Sequence, residues 1–175
     1  AKKGRARLVF KADGIEYKFP NGRMGLHELH MVEPGGKLIG IMGGSGSGKS
    51  TLLNVLNGNL APSRGHVTIN GIDVHTERDR IRGVIGHVSQ DDLLIEELTV
   101  FQNLFYNAKL SFGDLNDEQV SERVMRMLQT LGLYDTKDLK VGSPLEKTIS
   151  GGQRKRVNIA LELIREPSVL FVDEP

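Results

Sequence analysis

Short apolar runs broken by glycine fill the first half of this chain, and long polar segments with helical periodicity follow. Residues 8–17 and 29–33 suggest short strands on either side of an Asn21-Gly22 turn. Residues 37–42, KLIGIM between Gly36 and Gly43, form a brief apolar run that fits a buried strand. Residues 51–56 read as the opening of a helix that Gly58 ends. Residues 66–70 and 71–74 flank Asn70-Gly71, a strong hairpin signal, and residues 84–88 form a further buried-strand candidate.

The middle third is helical in character. Thr99 with Gln102, Asn116 with Gln119, and Ser150 with Gln153 all have the spacing at which a helix-capping side chain and a glutamine satisfy each other's backbone N–H groups. Val120, Val124, Met127, Leu128 and Leu131 fall on one face, so the methionines there are read as core packing. The helix opened by Ser150 extends to about Arg165, and residues 169–172 are a last, wholly apolar strand. Strands first, helices in the middle and a strand last describe an α/β core with a helical insertion. No internal repeat or low-complexity linker interrupts it.

Composition narrows the classes. The 175 residues can bury a sizeable core, and 38% hydrophobic with 26% charged residues is ordinary for a globular protein. A net charge of +1 argues against electrostatic binding of nucleic acid or acidic membranes, despite Lys2, Lys3, Arg5 and Arg7 near the start. Without cysteine, neither disulfides nor thiolate metal sites exist. No apolar stretch approaches the ~18 residues of a membrane span. The five histidines lack the H-E-x-x-H spacing and are read as surface or packing residues.

The glycines carry the chemistry. Gly43, Gly44, Ser45, Gly46, Ser47, Gly48, Lys49 and Ser50 match the phosphate-loop (Walker A) pattern, between a predicted strand and a helix that begins by Thr51. Glycines allow the backbone to wrap so that several N–H groups face phosphate oxygens, and the helix N-terminus adds its positive end. Lys49 is placed to reach the β- and γ-phosphates of ATP, and the Ser50 hydroxyl to ligate Mg²⁺. The apolar strand at 169–172 ends in Asp173 and Glu174, a Walker B arrangement. Adjacent strand residues point to opposite faces, so the two acids differ in role. Asp173 goes to the metal, and Glu174 is the candidate to orient or deprotonate an attacking water.

Phosphate loop and acidic strand define P-loop NTPases; Ile149, Ser150, Gly151, Gly152 and Gln153 narrow the class. They resemble the signature of ABC ATPases, usually Leu-Ser-Gly-Gly-Gln, with Ile in place of Leu. The runs GHVSQDDLL at 86–94, LTV at 98–100, FYNAKL at 105–110, SGGQRKRVNIALEL at 150–163 and PSVLFVDEP at 167–175 look like the White-like, G-type pigment-transporter subfamily. This resemblance implies a P-loop NTPase core with an N-terminal antiparallel β subdomain and a helical insertion. It implies ATP hydrolysis that drives a transporter, with Ser150–Gln153 reading the γ-phosphate held by a second copy of the domain. It further implies that Gln90 touches Mg²⁺ or the attacking water, and that Phe19, or alternatively Tyr17, stacks on adenine. A transmembrane domain on the same or another chain is the expected partner, nucleic acid is not, and the expected location is the cytoplasmic face of a membrane. The alternative is a soluble ABC-type ATPase in translation or DNA maintenance. A P-loop kinase or GTPase is opposed by the signature and by the absence of Asn-Lys-x-Asp.

The expected organisation is one nucleotide-binding domain: residues 1–90 as β subdomain and phosphate-loop core, 91–165 as a mainly helical subdomain, 166–175 as the acidic strand. The chain starts without Met and stops just after the acidic pair, so an excised piece of a longer protein is expected. In related ATPases the strand after Walker B inserts between the Walker A and Walker B strands. The runs at 37–42 and 169–172 are therefore expected to have unpaired edges here, and the fragment alone to be inactive.

Overall fold

The computed structural model describes residues 8–88, 93–143 and 148–173 of the chain. They form two compact units, one up to Ile85 and one from Gly86 onward.

The first unit is built on a four-stranded antiparallel sheet in the order β2-β1-β3-β4. β1 is Val9–Lys18, β2 Met24–Pro34, β3 Arg64–Ile69 and β4 Ile72–Asp73. Alternation sets the sheet's two faces. Phe10, Ala12, Ile15, Val67 and Ile69 point to one side and are buried, while Lys11, Asp13 and His66 point to the other and are exposed. The first hairpin turns at Pro20 and Asn21, closed by the Gly22 N–H donating to Phe19 O at 2.8 Å. The β3–β4 turn is Asn70-Gly71, with both φ angles positive (51° and 80°). That combination matches the twist of the flanking strands and strongly favours Asn-Gly. Helix α1, Lys49–Leu56, contributes Val55 and Leu56 to the core and ends ahead of Gly58, whose φ is 89°.

One expectation fails here. Residues 37–42 form no strand, and Leu38 and Met42 are 100% and 94% exposed. A strand is defined by the neighbour that completes its hydrogen bonds, and no described strand lies beside this run. An apolar hexamer alone specifies burial only where such a partner exists.

The second unit pairs β5, Ile85–Val88, with β6, Val169–Val172. It adds three longer helices: α2 Val100–Ser111, α3 Asp117–Thr130 and α4 Gly151–Leu163. All three start at the capping boxes read from sequence, with both reciprocal bonds formed at Thr99, Asn116 and Ser150. Their inner faces make one core including Val100, Leu104, Val124, Leu128, Val157 and Leu161. Met127 and Leu131 pack at its margin, as their helical spacing predicts. Burying a side chain of this size contributes about 1.5–3 kcal/mol, so the capped helices are held chiefly by this shared core.

Candidate functional site

The phosphate loop leads into α1 by backbone geometry. Gly46 and Gly48 have φ of 75° and 92°, in the left-handed region that residues with a Cβ avoid. Gly48 is the N-cap residue of α1, and no side chain caps that end. The first N–H groups of the helix therefore remain available to an anion. Lys49 folds back over the loop, its Nζ donating to Gly43 O at 2.7 Å and Gly44 O at 2.8 Å. The Ser50 side chain lies on an exposed residue of the first turn, and Thr51 is half-buried beside it.

The loop's glycines leave room that side chains would take. A Cβ on Gly43 would sit 2.6 Å from Ser47 Oγ, so a side chain there would close the loop. Gly44 and Gly46 face open space within 4 Å. The result is a glycine loop with one lysine laid across it, a composition compatible with a phosphate chain.

Tyr17, in β1, and Phe19, just past it, are packed edge to face with ring centroids 5.2 Å apart. Phe19 is fixed by its own backbone, its N–H donating to Arg23 O at 2.9 Å. The first unit thus brings both adenine candidates and the phosphate loop into one body. Gly25 lies beside both rings, and it falls between the strands predicted at 8–17 and 29–33, so no sequence signal marks it.

In the second unit Ser150 Oγ accepts from Gln153 N–H at 3.1 Å, and Gln153 Oε1 accepts from Ser150 N–H at 2.7 Å. The signature's own polar side chains are thereby locked into the start of α4. Ile149, which stands where the family usually has Leu, is 5% exposed and belongs to the helical core. Gly151 and Gly152 are exposed, and a Cβ on either would meet nothing within 4 Å. Neither packing nor left-handed backbone requires glycine there. Asp173 follows β6, and its N–H donates to Val88 O at 3.2 Å. Gln90 and Glu174 lie outside the described residues.

Three of the five histidines are accounted for by their neighbours. His30 sits between Asp13 and Glu28, His66 Nδ1 is 3.1 Å from Asp73, and His75 Nε2 is 2.9 Å from Leu60 O. Among the described residues no group of His, Asp and Glu is arranged to hold a metal ion by itself.

Comparison with known proteins places this geometry. The ABC transporter family profile matches residues 26–175. "ABC-type transporter claG" of Penicillium crustosum is 37% identical over 173 residues, covering 94% of this chain and 23% of the relative. "ABC transporter G family member 23" of Arabidopsis thaliana is 40% identical over 157 residues, covering 86% and 25%. Among solved structures, cbiO1 from Clostridium perfringens, described as part of the ABC transporter complex cbiONQ, superposes with a TM-score of 0.83. That match has 31% identity and covers 97% of this chain and 66% of that one. The chain spans a quarter or less of these curated relatives' length. It belongs to the ABC transporter family, as an ATP-binding domain with G-type relatives.

Proposed function

We propose that this domain binds Mg-ATP in the 43–51 loop and that, in the full-length protein, its hydrolysis drives transport across a membrane. The observation that carries the reading is the glycine loop with Lys49 laid across it at an uncapped helix N-terminus. Lys49 now donates to two loop carbonyls; exchanging them for β- and γ-phosphate oxygens keeps its N–H groups satisfied and adds charge pairing. Ser50 offers a hydroxyl to the metal, with Asp173 and Gln90 as its further partners. Mg²⁺, when bound, neutralises charge on the phosphate oxygens. Glu174 holds the attacking water and takes up its proton. Tyr17 or Phe19 receives the adenine.

Ser150, Gly151, Gly152 and Gln153 are proposed to meet the γ-phosphate bound to a second copy of the domain. The two exposed glycines support this, since they leave the helix start bare although nothing in their own surroundings asks for it. No described helix is long and apolar enough to cross a membrane. The ABC transporter family is the ground for proposing a transmembrane domain, on the same or another chain, as partner, with this domain on the membrane's cytoplasmic face.

The test is thermal unfolding with and without Mg-ATP. A ligand at about 100 times its Kd stabilises the folded state by roughly 2.7 kcal/mol. The wild-type chain is expected to gain a melting shift of that order, and Lys49→Ala to lose it. An equal ATP-induced shift in Lys49→Ala would overturn the assignment of this loop.

A further inference from the structure

The hairpin that carries the aromatic pair shifts register at three points, and the last of them lies beside the rings. Tyr17 pairs with Leu26 and Lys18 with Met24, so Gly25 is an extra residue in β2. Such a bulge re-aims the side chains around it. Gly25 is not among the residues with positive φ, so its backbone would accept any L residue. Space is what excludes one. A Cβ on Gly25 would lie 2.6 Å from Cε2 of Phe19, 3.0 Å from its Cζ and 3.1 Å from Cδ1 of Tyr17. On its other side, Gly25 O lies 3.1 Å from where a Cβ on Gly48 would stand. One bare residue therefore separates the two rings from the glycine that caps α1.

We propose that Gly25 is a positioning residue that seats the Tyr17–Phe19 pair against the phosphate loop, so that affinity for the nucleobase depends on its missing Cβ. The inference rests on the reading that one of these rings receives adenine. The contact at 2.6 Å is too short for a real Cβ, and the atom it meets is the far edge of a ring. The ring, being free to rotate about χ1 and χ2, yields before the backbone does. Any side chain at position 25 thus turns Phe19 away from its present place. A side chain at position 25 meets the rings, whereas the approach to Gly48 is made by the Gly25 carbonyl, which the substitution leaves unchanged, so the phosphate loop keeps its shape. Base contacts are lost and phosphate contacts are retained.

The experiment compares Mg-ATP with Mg-tripolyphosphate, which has the phosphates and no base, by titration calorimetry on the full-length chain. Gly25→Val is expected to weaken ATP about tenfold, the order that one base–aromatic stack contributes, with tripolyphosphate changed less than about twofold. Gly25→Ala should show a smaller loss of the same selectivity and remains usable if the valine variant does not fold. On a Phe19→Leu background, Gly25→Ala should add no further loss, because the ring it displaces is gone. Equal weakening of both ligands, or unchanged ATP affinity in both Gly25 variants, overturns the inference. The underlying reading fails separately: if Tyr17→Ala/Phe19→Ala binds ATP like wild type, neither ring receives the base. If that double variant loses ATP and the Gly25 variants do not, Gly25 alone is cleared.

Discussion

His30 bridges two carboxylates across the exposed face of the four-stranded sheet, and its protonation state follows from where its nitrogens point. Nδ1 is 3.0 Å from Asp13 Oδ1 and Nε2 is 3.1 Å from Glu28 Oε1. A neutral imidazole donates from one nitrogen, an imidazolium from both, so the charged form alone completes the two bonds. When neutral, Nδ1 can instead accept from the Gly14 N–H at 3.1 Å. The bonds to Glu28 and then to Asp13 raise the His30 pKa above its ordinary 6.5. Asp13 is lowered below 3.8, first by its bond to Lys11 and then by His30. A raised folded-state pKa means that His30 stabilises fully below 6.5 and ceases to as pH rises through its folded value. All these groups are solvent-exposed, so the effect is small and salt-sensitive. The gap in melting temperature between wild type and His30→Ala is therefore expected to be widest between pH 3.8 and 6.5 and to close above that range. A pH series of melts checks it, and a gap that widens toward alkaline pH contradicts it. None of this was readable from the sequence, where a histidine shows neither its partners nor its face. The phosphate-loop pattern was visible in the sequence, because the phosphate binding proposed for it demands glycines and a lysine at fixed spacing. Gly25 was not, since its role depends on the rings opposite.

Helix starts were the most legible elements, because capping is a contract between residues three apart. Thr99, Asn116 and Ser150 each made the bonds their spacing implies. The Asn70-Gly71 hairpin was legible for the same reason: its constraint is local. The apolar run at 37–42 was misread because strand formation is not local, and the same composition is compatible with a chain that finds no neighbour. A second non-local device went unnoticed in α2. Asn103, only 6% exposed, accepts from Ile95 N–H at 2.8 Å and donates to the carbonyls of Ile95 at 3.1 Å and Thr99 at 3.0 Å. Its amide thus ties the segment before the helix to the helix's own second turn. Asn103→Leu removes every one of these partners while leaving the backbone groups of Ile95 in place. The expected cost is about 1–3 kcal/mol, the range for stranding buried polar groups, read as a lower midpoint in urea with an unchanged slope. A variant as stable as wild type would mean that water or another group replaces the amide.

Across the chain the division of labour is between two compact units. The sheet order β2-β1-β3-β4 follows from pairing over tens of residues, which periodicity does not encode. Fold class was legible because the motifs came in a family's order. One unit holds the phosphate loop and aromatic pair; the other holds the signature glycines, β6 and Asp173. Turnover under the proposed function requires groups from both, and the next residue in sequence, Glu174, is the test of that requirement. Glutamine at this position keeps the side chain's size and its capacity to bond a water, but an amide does not take up a proton at neutral pH. Binding needs the phosphate loop and should survive; hydrolysis needs the carboxylate and should not. In the full-length protein Glu174→Gln is therefore expected to bind ATP near wild-type affinity while turnover falls by roughly two to four orders of magnitude, the range for a lost general base. If the signature glycines read a second copy's nucleotide, unhydrolysed ATP should also hold two domains together. Light scattering in Mg-ATP is expected to give a larger particle for the variant than for the wild type, and the same size once nucleotide is removed. Phosphate release at near-wild-type rate would take Glu174 out of the catalytic role. Lost turnover without the change in size would leave Glu174 in place and argue against the shared nucleotide.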